Sequence, residues 1–220
     1  MIRKIVASCA VVLFSSVAVA IAHADTIGTV ATFTLTDKGS LTATGPFGTI
    51  TVTQTAAGQV TVHETLAANE YYAGTGAGDA LEFNIKASDG PFNFSGITSG
   101  FAVGPAPDTA SPFGTFLQSI TCTACSGGQT SNPPGPLTFI VSSANGVNVS
   151  DFLANSGGFF FASDIFIGNI VTGVGQTGNV AAGGPAGVTP EPSSLMLLGT
   201  GILGAAGLFR RKLVAAASRG

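Results

Sequence analysis

The chain has 220 residues, of which 9% are charged and 45% hydrophobic, with 31 glycines and no tryptophan. So few charged residues argue against a coiled coil or a long exposed helix, and the hydrophobic fraction is too high for a fully disordered chain. Residues 25–188 carry two basic and ten acidic residues, a net charge of −8 (2 − 10), so they lack the basic face that nucleic-acid binding requires.

The first 24 residues have the organisation of a secretory signal peptide. Arg3 and Lys4 form a basic n-region, residues 5–21 are almost wholly apolar, and Ala22-His23-Ala24 is a small-x-small cleavage site. We therefore expect the mature chain to begin at Asp25. An uncleaved anchor helix is the alternative.

Residues 25–182 are rich in Thr, Gly, Phe and Val, which predicts an all-β domain. Apolar residues and threonines alternate with the period of a strand in residues 31–36, 49–53 and 59–64. Further strands are expected at residues 80–86, 114–121, 137–142 and 159–170, with a helical turn near 149–155. Turns rich in glycine, proline and asparagine separate them. We expect a single β-sandwich of about eight to ten short strands, large enough to be stable alone.

Candidates for catalysis are few in this region. After signal cleavage His63 is the only histidine that could serve as the base for a serine or cysteine nucleophile, and its strand position predicts a solvent-facing ring. Asp79 with Glu82, and Asp151 with Asp164, are acid pairs that a glycosidase could use. Carbohydrate-cleaving sites usually add aromatic platforms, and the chain has no Trp and only two Tyr. We expect no enzymatic activity, no catalytic residue and no cofactor.

Calcium is an open alternative. Asp79, Glu82, Asp89 and Asn93 surround glycine-rich turns, where oxygen ligands could hold a hard cation. Neither an EF-hand nor a repeat loop accompanies them, so no metal site is assigned.

Cys122-Thr123-Ala124-Cys125 is the most specific local motif of the exported region. With no second cysteine pair and one histidine, Cys and His alone cannot supply four zinc ligands. The residues that follow, 126–128, do not begin a helix, which a thioredoxin-like redox site requires. In an oxidising compartment the motif predicts a small structural disulfide between Cys122 and Cys125.

Residues 173–178 match the pattern G-x-G-x-x-G. A dinucleotide site needs a helix directly after this pattern and an acidic residue about 20 positions further on. Gly183, Gly184 and Pro185 follow instead. We interpret residues 173–178 as a flexible loop.

The C-terminal segment combines a flexible Gly/Pro linker at residues 183–188, an uncharged apolar run at 195–209 and the basic cluster Arg210-Arg211-Lys212. Fifteen helical residues span about 22 Å, and snorkelling basic side chains can help them cross a hydrocarbon core of about 30 Å. The positive-inside rule keeps the basic cluster in the cytoplasm, where it stops transfer. Residues 25–188 then lie outside the inner membrane. A buried core helix is the alternative for the apolar run.

Pro190-Glu191-Pro192, followed by an apolar helix and a basic cluster, closely resembles the PEP-CTERM sorting signal of Gram-negative bacteria. The resemblance covers about residues 188–212, with the signal itself at 189–212 and a tail at 213–220. It implies handling by exosortase, a membrane-embedded cysteine transpeptidase-like enzyme, in the context of extracellular polysaccharide export and biofilm matrix. Segments of the β domain are similar to exported β-rich proteins that carry this tail and have no assigned activity.

Together these features predict an exported, non-enzymatic protein that is anchored in the inner membrane as an intermediate and then sorted to the cell surface or the extracellular space. The expected role is a structural or adhesive component of the envelope or of the extracellular polysaccharide matrix of a biofilm. The expected partners are an exosortase-type processing enzyme, the membrane through the C-terminal helix, and extracellular polysaccharide, but no nucleic acid. The alternative is a secreted glycan-binding module that uses Tyr71, Tyr72 and the acidic loops as its contact surface.

Overall fold

The computed structural model describes residues 26–75, 79–125 and 135–186. Several predicted features lie outside the described residues: the signal peptide 1–24 with its cleavage site at Ala22 and Ala24, the sorting motif Pro190, Glu191 and Pro192, the apolar run 195–209, the basic cluster Arg210, Arg211 and Lys212, and the tail 213–220. Among the described residues, no helix has the length and apolar character needed to cross a membrane.

The described chain is built from antiparallel strands and two single-turn 3₁₀ helices, at Ala87–Asp89 and Val149–Asp151. In chain order the strands are β1 Val30–Leu35, β2 Asp37–Lys38, β3 Gly48–Ala56, β4 Gln59–Leu66, β5 Glu70–Tyr72, β6 Leu81–Phe83, β7 Asn93–Ser95, β8 Phe101–Val103, β9 Asp108–Ala110, β10 Gly114–Phe116, β11 Gln118–Cys122, β12 Leu137–Ser142, β13 Phe161–Asn169 and β14 Val174–Ala182. The prediction of an all-β fold is confirmed, with more and shorter strands than expected.

The strands form two larger sheets and a small ribbon. Sheet A has the order β1-β3-β4-β12-β7, and sheet B has the order β2-β14-β13-β6-β11-β8, with β5 also paired to β13. Strands β9 and β10 form a separate two-stranded hairpin. All of these pairings are antiparallel.

Sheet A follows the alternation seen in the sequence. In β1, Ala31, Phe33 and Leu35 are buried, whereas the threonines between them are half-buried on the other face. Strand β3 pairs with β4 so that Val52 lies opposite Val62, and both are fully buried. Because side chains alternate between the two faces of a strand, one apolar and one threonine face result.

A cluster of phenylalanines fills the space between the two sheets. The Phe83 ring centroid lies 5.6 Å from that of Phe139, 5.8 Å from that of Phe152 and 6.0 Å from that of Phe161. Phe139 comes from sheet A, whereas Phe83 and Phe161 come from sheet B. Each such ring contributes about 1.5–3 kcal/mol by burial, so these contacts hold the sheets face to face.

Sheet B is covered on both faces. On the face turned away from sheet A, Ala162 and Ala181 pack against Ala110, Phe113 and Phe116 of the β9–β10 hairpin. A strand covered on both faces buries consecutive residues, because the side chains on either face then lie against other parts of the protein. This explains the buried pattern along most of β13.

The interpretation of residues 173–178 as a flexible loop is wrong. Residues 174–178 begin β14, and Gly178 lies opposite Ile165 of β13. A Cβ atom at Gly175 would collide with the Ile167 carbonyl oxygen and the Phe166 ring. Gly175 therefore allows close packing between two neighbouring strands, which a search for a loop or a nucleotide site does not reveal.

Candidate functional site

The predicted disulfide is confirmed, because Cys122 and Cys125 are bonded at the end of β11. The amides of Thr123 and Ala124 both donate to the Gly100 carbonyl oxygen, at 2.8 and 3.1 Å. The turn between the cysteines is thus held against the start of β8. This arrangement is that of a structural cross-link.

His63 lies on the exposed threonine face of sheet A. Its Nδ1 is 2.7 Å from the Thr138 hydroxyl and its Nε2 is 3.0 Å from the Thr65 hydroxyl. The prediction of a solvent-facing ring is confirmed. Both hydrogen-bond partners of the ring are threonine hydroxyls, so no carboxyl group is among them.

The two tyrosines differ in their surroundings. Tyr72 is only 3% exposed, its hydroxyl accepts a hydrogen bond from the Leu137 amide at 3.2 Å, and its ring packs edge-on against Phe101. The prediction of Tyr72 as part of a glycan contact surface is therefore wrong, because alternation in β5 turns its side chain into the core. Tyr71 points the other way and is half-buried, with its ring 6.4 Å from that of Phe166.

The acid pair Asp151 and Asp164 has separate partners. Asp151 accepts the Asn148 amide at 2.7 Å and so caps the second 3₁₀ helix. Asp164 lies on β13 and accepts both the amide and the hydroxyl of Thr75, at 2.9 and 2.6 Å. Asp151 thus serves local backbone structure, Asp164 holds a distant segment at Thr75, and no contact joins the two acids among the described residues.

Asp79 and Glu82, by contrast, are brought together. The Asp79 amide donates to Glu82 Oε1 at 2.8 Å, and the Asp164 amide donates to the Asp79 carbonyl oxygen at 3.0 Å. Asp108, from the β9–β10 hairpin, raises the pKa of both Asp79 and Glu82 by its charge. We refer to Asp79, Glu82, Asp108 and Asp164 as the carboxyl cluster, which lies between sheet B and its covering hairpin.

Burial is the dominant influence on this cluster. It raises the pKa of the fully buried Glu82 to about 8, with a smaller opposing contribution from the Asp79 amide and a further rise from the charges of Asp108 and Asp79. Burial also raises the pKa of Asp79, and hydrogen bonds from the Ser119 and Thr121 hydroxyls lower it by a smaller amount. Burial raises the pKa of Asp164, and the two hydrogen bonds from Thr75 lower it by a smaller amount.

The described residues bring no positive charge to the carboxyl cluster. Within the described ranges the only lysines are Lys38, which donates to the Thr42 and Ala43 carbonyls, and Lys86, which lies 3.7 Å from Asp89. Glu82 Oε2 and Asp164 Oδ1 are buried and lack a hydrogen-bond partner in this part of the chain. A protonated carboxyl is the form that such a site favours.

The residues considered for calcium do not form one site. Asp89 lies in the first 3₁₀ helix beside Lys86, and Asn93 is exposed at the start of β7 in sheet A. Asp79 and Glu82 belong to the carboxyl cluster at sheet B. In the three described stretches no group of three or more His, Cys, Asp or Glu side chains is arranged to hold a metal ion.

A further buried carboxyl, Glu64, escaped sequence reasoning. It is fully buried in β4, and burial raises its pKa to about 8 against smaller effects of the Ser163 and Tyr72 hydroxyls. The signal was present in the sequence, since Glu64 has the same strand parity as the buried Val60 and Val62. An acidic residue at an inward position predicts a neutral carboxyl in the core.

A groove of about 650 Å³ opens beside the first residues of β1. Phe33, Phe152 and Phe160 form its apolar part, and Lys86 and Asp151 lie among its polar lining. Thr26 and Pro185, close to the two ends of the described domain, also line it. We refer to this feature as the β1 groove.

The start of the predicted linker contacts the domain. Pro185 forms an isolated antiparallel bridge with Phe33, and the Ala186 amide donates to the Thr32 carbonyl oxygen at 2.7 Å. Residues 183–186 therefore follow β1 after β14 ends. Their Gly-Gly-Pro-Ala sequence gives no indication of this, because the pairing partner is about 150 residues away.

Residues 188–212 match the family model of the PEP-CTERM protein-sorting motif. Comparison with curated proteins and with solved structures finds no match to the chain. The matched residues coincide with the predicted sorting signal, whose resemblance is thereby confirmed. The motif indicates an exported protein that passes the membrane and is sorted by exosortase.

Proposed function

We propose that this exported, exosortase-sorted protein with a PEP-CTERM motif acts without catalysis, as a structural or adhesive component of the cell envelope or of the polysaccharide matrix of a biofilm. The observation that carries the proposal is the sorting motif at residues 188–212 directly behind an all-β domain. In this arrangement the tail is the sorting signal, and the β domain is the part that is exported.

The positions of the titratable groups support a non-enzymatic role. A hydrolase needs an acid and a base that both reach the substrate. Here the side chains of Glu82, Asp164 and Glu64 are fully buried, and the exposed His63 is bound to two threonine hydroxyls. The carboxyl groups whose pKa burial raises are thus separated from solvent by packed strands.

The route follows from the order of the segments. Signal peptidase removes residues 1–24, and the apolar helix 195–209 holds the exported domain at the outer side of the inner membrane. The basic cluster Arg210-Arg211-Lys212 keeps the short tail in the cytoplasm. Exosortase then acts at Pro190-Glu191-Pro192 and releases the domain to the surface or the extracellular space. The Cys122–Cys125 disulfide suits the oxidising compartment that this route requires.

Fractionation of cells with and without an exosortase tests the sorting step. With the enzyme, we expect a surface or extracellular product whose C-terminal peptide, measured by mass spectrometry, lacks residues 195–220. Without it, the uncleaved chain should stay in the inner membrane. Glu191→Ala should resemble the enzyme-free strain, and Ser193→Ala should serve as its matched control. A final product that keeps residues 195–220 in exosortase-positive cells would contradict the proposal and favour simple anchoring.

The structural role needs a separate measurement. Deletion of the coding sequence should lower the amount of polysaccharide retained by washed cells, and the wild-type chain should restore it. A variant without residues 189–220 should be secreted and fail to restore retention. Normal retention in the deletion strain would reject a structural or adhesive role.

A glycan-binding module is the second candidate, and one feature favours it. Tyr71 and Glu70 line a surface depression of about 150 Å³, so a ring and a carboxyl group are offered together. Burial raises the pKa of Glu70 to about 7, although a hydrogen bond from the Ala67 amide lowers it by a smaller amount. A glycan array with wild-type protein and Tyr71→Ala tests this role, since binding should be lost in the variant. Binding that persists in Tyr71→Ala would remove the depression as the contact site.

A further inference from the structure

We propose that the turn between β13 and β14 is a membrane-contact site, whose valine side chains insert shallowly into a lipid surface with zwitterionic headgroups. We refer to residues 169–174, which comprise the last residue pair of the two strands and the turn between them, as the hairpin tip. The orientation of the domain that follows from this site rests on the proposed anchoring through the apolar run at 195–209.

The hairpin tip extends beyond the strands on either side of it. Strand β5 pairs with β13 only as far as Ile167, and β2 pairs with β14 only near its far end. Beyond Ile167, residues 168–169 pair with residues 174–175 and, in the described chain, with no third strand. The turn at 170–173 therefore projects from this end of sheet B.

Apolar side chains are exposed at the hairpin tip. Val171 is 90% exposed and Val174 is 73% exposed, the two largest values among the large hydrophobic residues of the described chain, and Ile170 beside them is half-buried. Single exposed apolar residues are ordinary on a protein surface, but here two share one tip. No Asp, Glu, Lys or Arg lies between Asp164 and Glu191 in the sequence. Entry of the tip into an apolar region therefore desolvates no charged side chain of the hairpin.

The backbone of the tip is hydrogen-bonded within the tip itself. The amides of Val171 and Thr172 donate to Asn169 Oδ1 at 2.9 and 3.1 Å, and the Gly173 amide donates to the Asn169 carbonyl oxygen at 2.8 Å. Amides without a partner make contact with lipid costly. Asn169 thus provides three of the four turn amides with a partner that remains when water is withdrawn, and it holds the valines in a defined turn.

The residue types favour lipid over a pocket on another protein. Hot spots between proteins are enriched in Trp, Tyr and Arg and poor in valine. Val171 and Val174 offer only short aliphatic side chains, which gain by transfer into any apolar region. Residues 25–188 carry a formal net charge of −8 (2 − 10), which anionic headgroups would repel, so a zwitterionic surface is the better match. Two valines bind a bilayer weakly, and the contact is therefore reversible.

The hairpin tip and the end of the described domain lie at opposite ends of β14. Eight residue steps separate Val174 from Ala182, which is about 27 Å along an extended strand. From Ala186, the apolar run at 195 is nine residue steps away in the sequence, a reach of at most about 32 Å. A domain anchored through that run can thus rest with β14 along the membrane and the tip in contact with it. Removal of the anchor leaves only the weak contact, so the domain is released.

Fluorescence quenching on the full chain tests the site. The chain is purified in detergent from cells without exosortase and reconstituted into phosphatidylcholine liposomes in which some acyl chains carry a nitroxide quencher. An environment-sensitive fluorophore is attached at Thr172→Cys in the tip, or at the controls Thr49→Cys on sheet A and Thr109→Cys on the β9–β10 hairpin. Cys122 and Cys125 are bonded to each other and do not react. We expect quenching at position 172 to be at least ~3-fold stronger than at either control.

The possible outcomes separate this site from the proposed anchoring. Equal quenching at all three positions, in chains that float with the liposomes, would overturn the membrane-contact site and leave the anchoring intact. Chains that do not float with the liposomes would overturn both. Shielding of position 172 that depends on protein concentration and not on the nitroxide lipid would also overturn the site, because it would indicate contact with a second copy of the chain.

Charge substitutions test the two valines directly. Val171→Asp with Val174→Asp, in the Thr172→Cys chain, should lower the quenching to the level of the controls, because a carboxylate does not enter the apolar region. Leu153→Asp, at an apolar side chain that is 43% exposed elsewhere on the domain, is the matched control and should leave quenching unchanged. The urea midpoints of the variants, which should match that of the parent chain, show that the fold is kept. Quenching that persists in the double variant would overturn the proposal.

Discussion

The Asp79 amide donates a 2.8 Å hydrogen bond to Glu82 Oε1, so that two carboxyl residues meet beneath the β9–β10 hairpin. Glu82 is fully buried and Asp79 is 9% exposed. With no cation nearby in the described chain, burial raises the pKa of both carboxyl groups, that of Glu82 to about 8. The formal negative charge of this domain therefore overstates the charge that it carries near neutral pH.

The first prediction is that the free energy of unfolding falls as the pH rises from 5 to 9. Burial raises the pKa of Glu64 and of Glu82 from the ordinary value of 4.5 to about 8, so folding favours their protonated forms. This contribution is complete below pH 4.5 and is lost as the pH passes through 8, with a slope of up to about 1.4 kcal/mol per pH unit for each group. Urea unfolding at pH 5.5, 7.0 and 8.5 measures it. Constant or rising stability over this range would contradict burial of neutral acids.

The second prediction is that Glu82→Gln stabilises the protein at pH 8.5. The amide has the shape of the acid but cannot ionise, so the gain should be larger at pH 8.5 than at pH 5.5 by at least about 1 kcal/mol, because only the wild type loses stability as the pH rises toward 8. Asp37→Asn, at an exposed carboxyl on β2, is the control and should change stability by less than about 0.5 kcal/mol. A Glu82→Gln protein that is less stable than wild type at pH 8.5 would show that an ionised Glu82 is needed.

The third prediction concerns the phenylalanine cluster. Phe83→Ala should lower the free energy of unfolding by about 3–5 kcal/mol, because the cavity lies between Phe139, Phe152 and Phe161 and cannot collapse without moving both sheets. Val171→Ala, at a side chain that is 90% exposed, should stay within about 0.5 kcal/mol of wild type. Urea unfolding at pH 6 compares the two. Similar small losses in both variants would show that packing of Phe83 contributes little to the stability of the core.

The fourth prediction concerns the disulfide. Intact mass of the exported protein should correspond to one disulfide, and a thiol reagent should not label Cys122 or Cys125 before reduction. The loop is short, so reduction should cost only about 2 kcal/mol. A variant with both cysteines changed to Ser should show no further loss when a reducing agent is added. Two free thiols in the exported protein would contradict the bond.

Four of the five strands of sheet A, β1, β3, β4 and β12, could be predicted because the information is local, whereas the short edge strand β7 was not predicted. Alternating valine, isoleucine and threonine in residues 49–53 and 59–64 predicts two faces, and the structure has them in β3 and β4. The sorting motif is also local, since a linear order of motif, apolar run and basic cluster suffices for recognition, and it matches the family model at residues 188–212. The Cys122–Cys125 bond was predictable from spacing and compartment.

Burial of the carboxyl groups could not be predicted in the same way. Glu82 and Asp164 are enclosed because the β9–β10 hairpin covers the outer face of sheet B. The residue pattern of β6 and β13 does not predict that a hairpin covers this face. Strand β14 was missed because Gly175 and Gly178 interrupt the alternation that marks a strand, although Gly175 allows close contact with β13.

The amino-acid sequence by itself determined the all-β character, the disulfide and the sorting motif, because each depends on residues that are neighbours in the chain. The tertiary structure alone decided which acids are buried, that Tyr72 belongs to the core, and that residues 183–186 follow β1. These outcomes depend on which distant strands come to lie side by side. Desolvation and backbone pairing act between such partners, and their strength is set by the fold and not by local residue order.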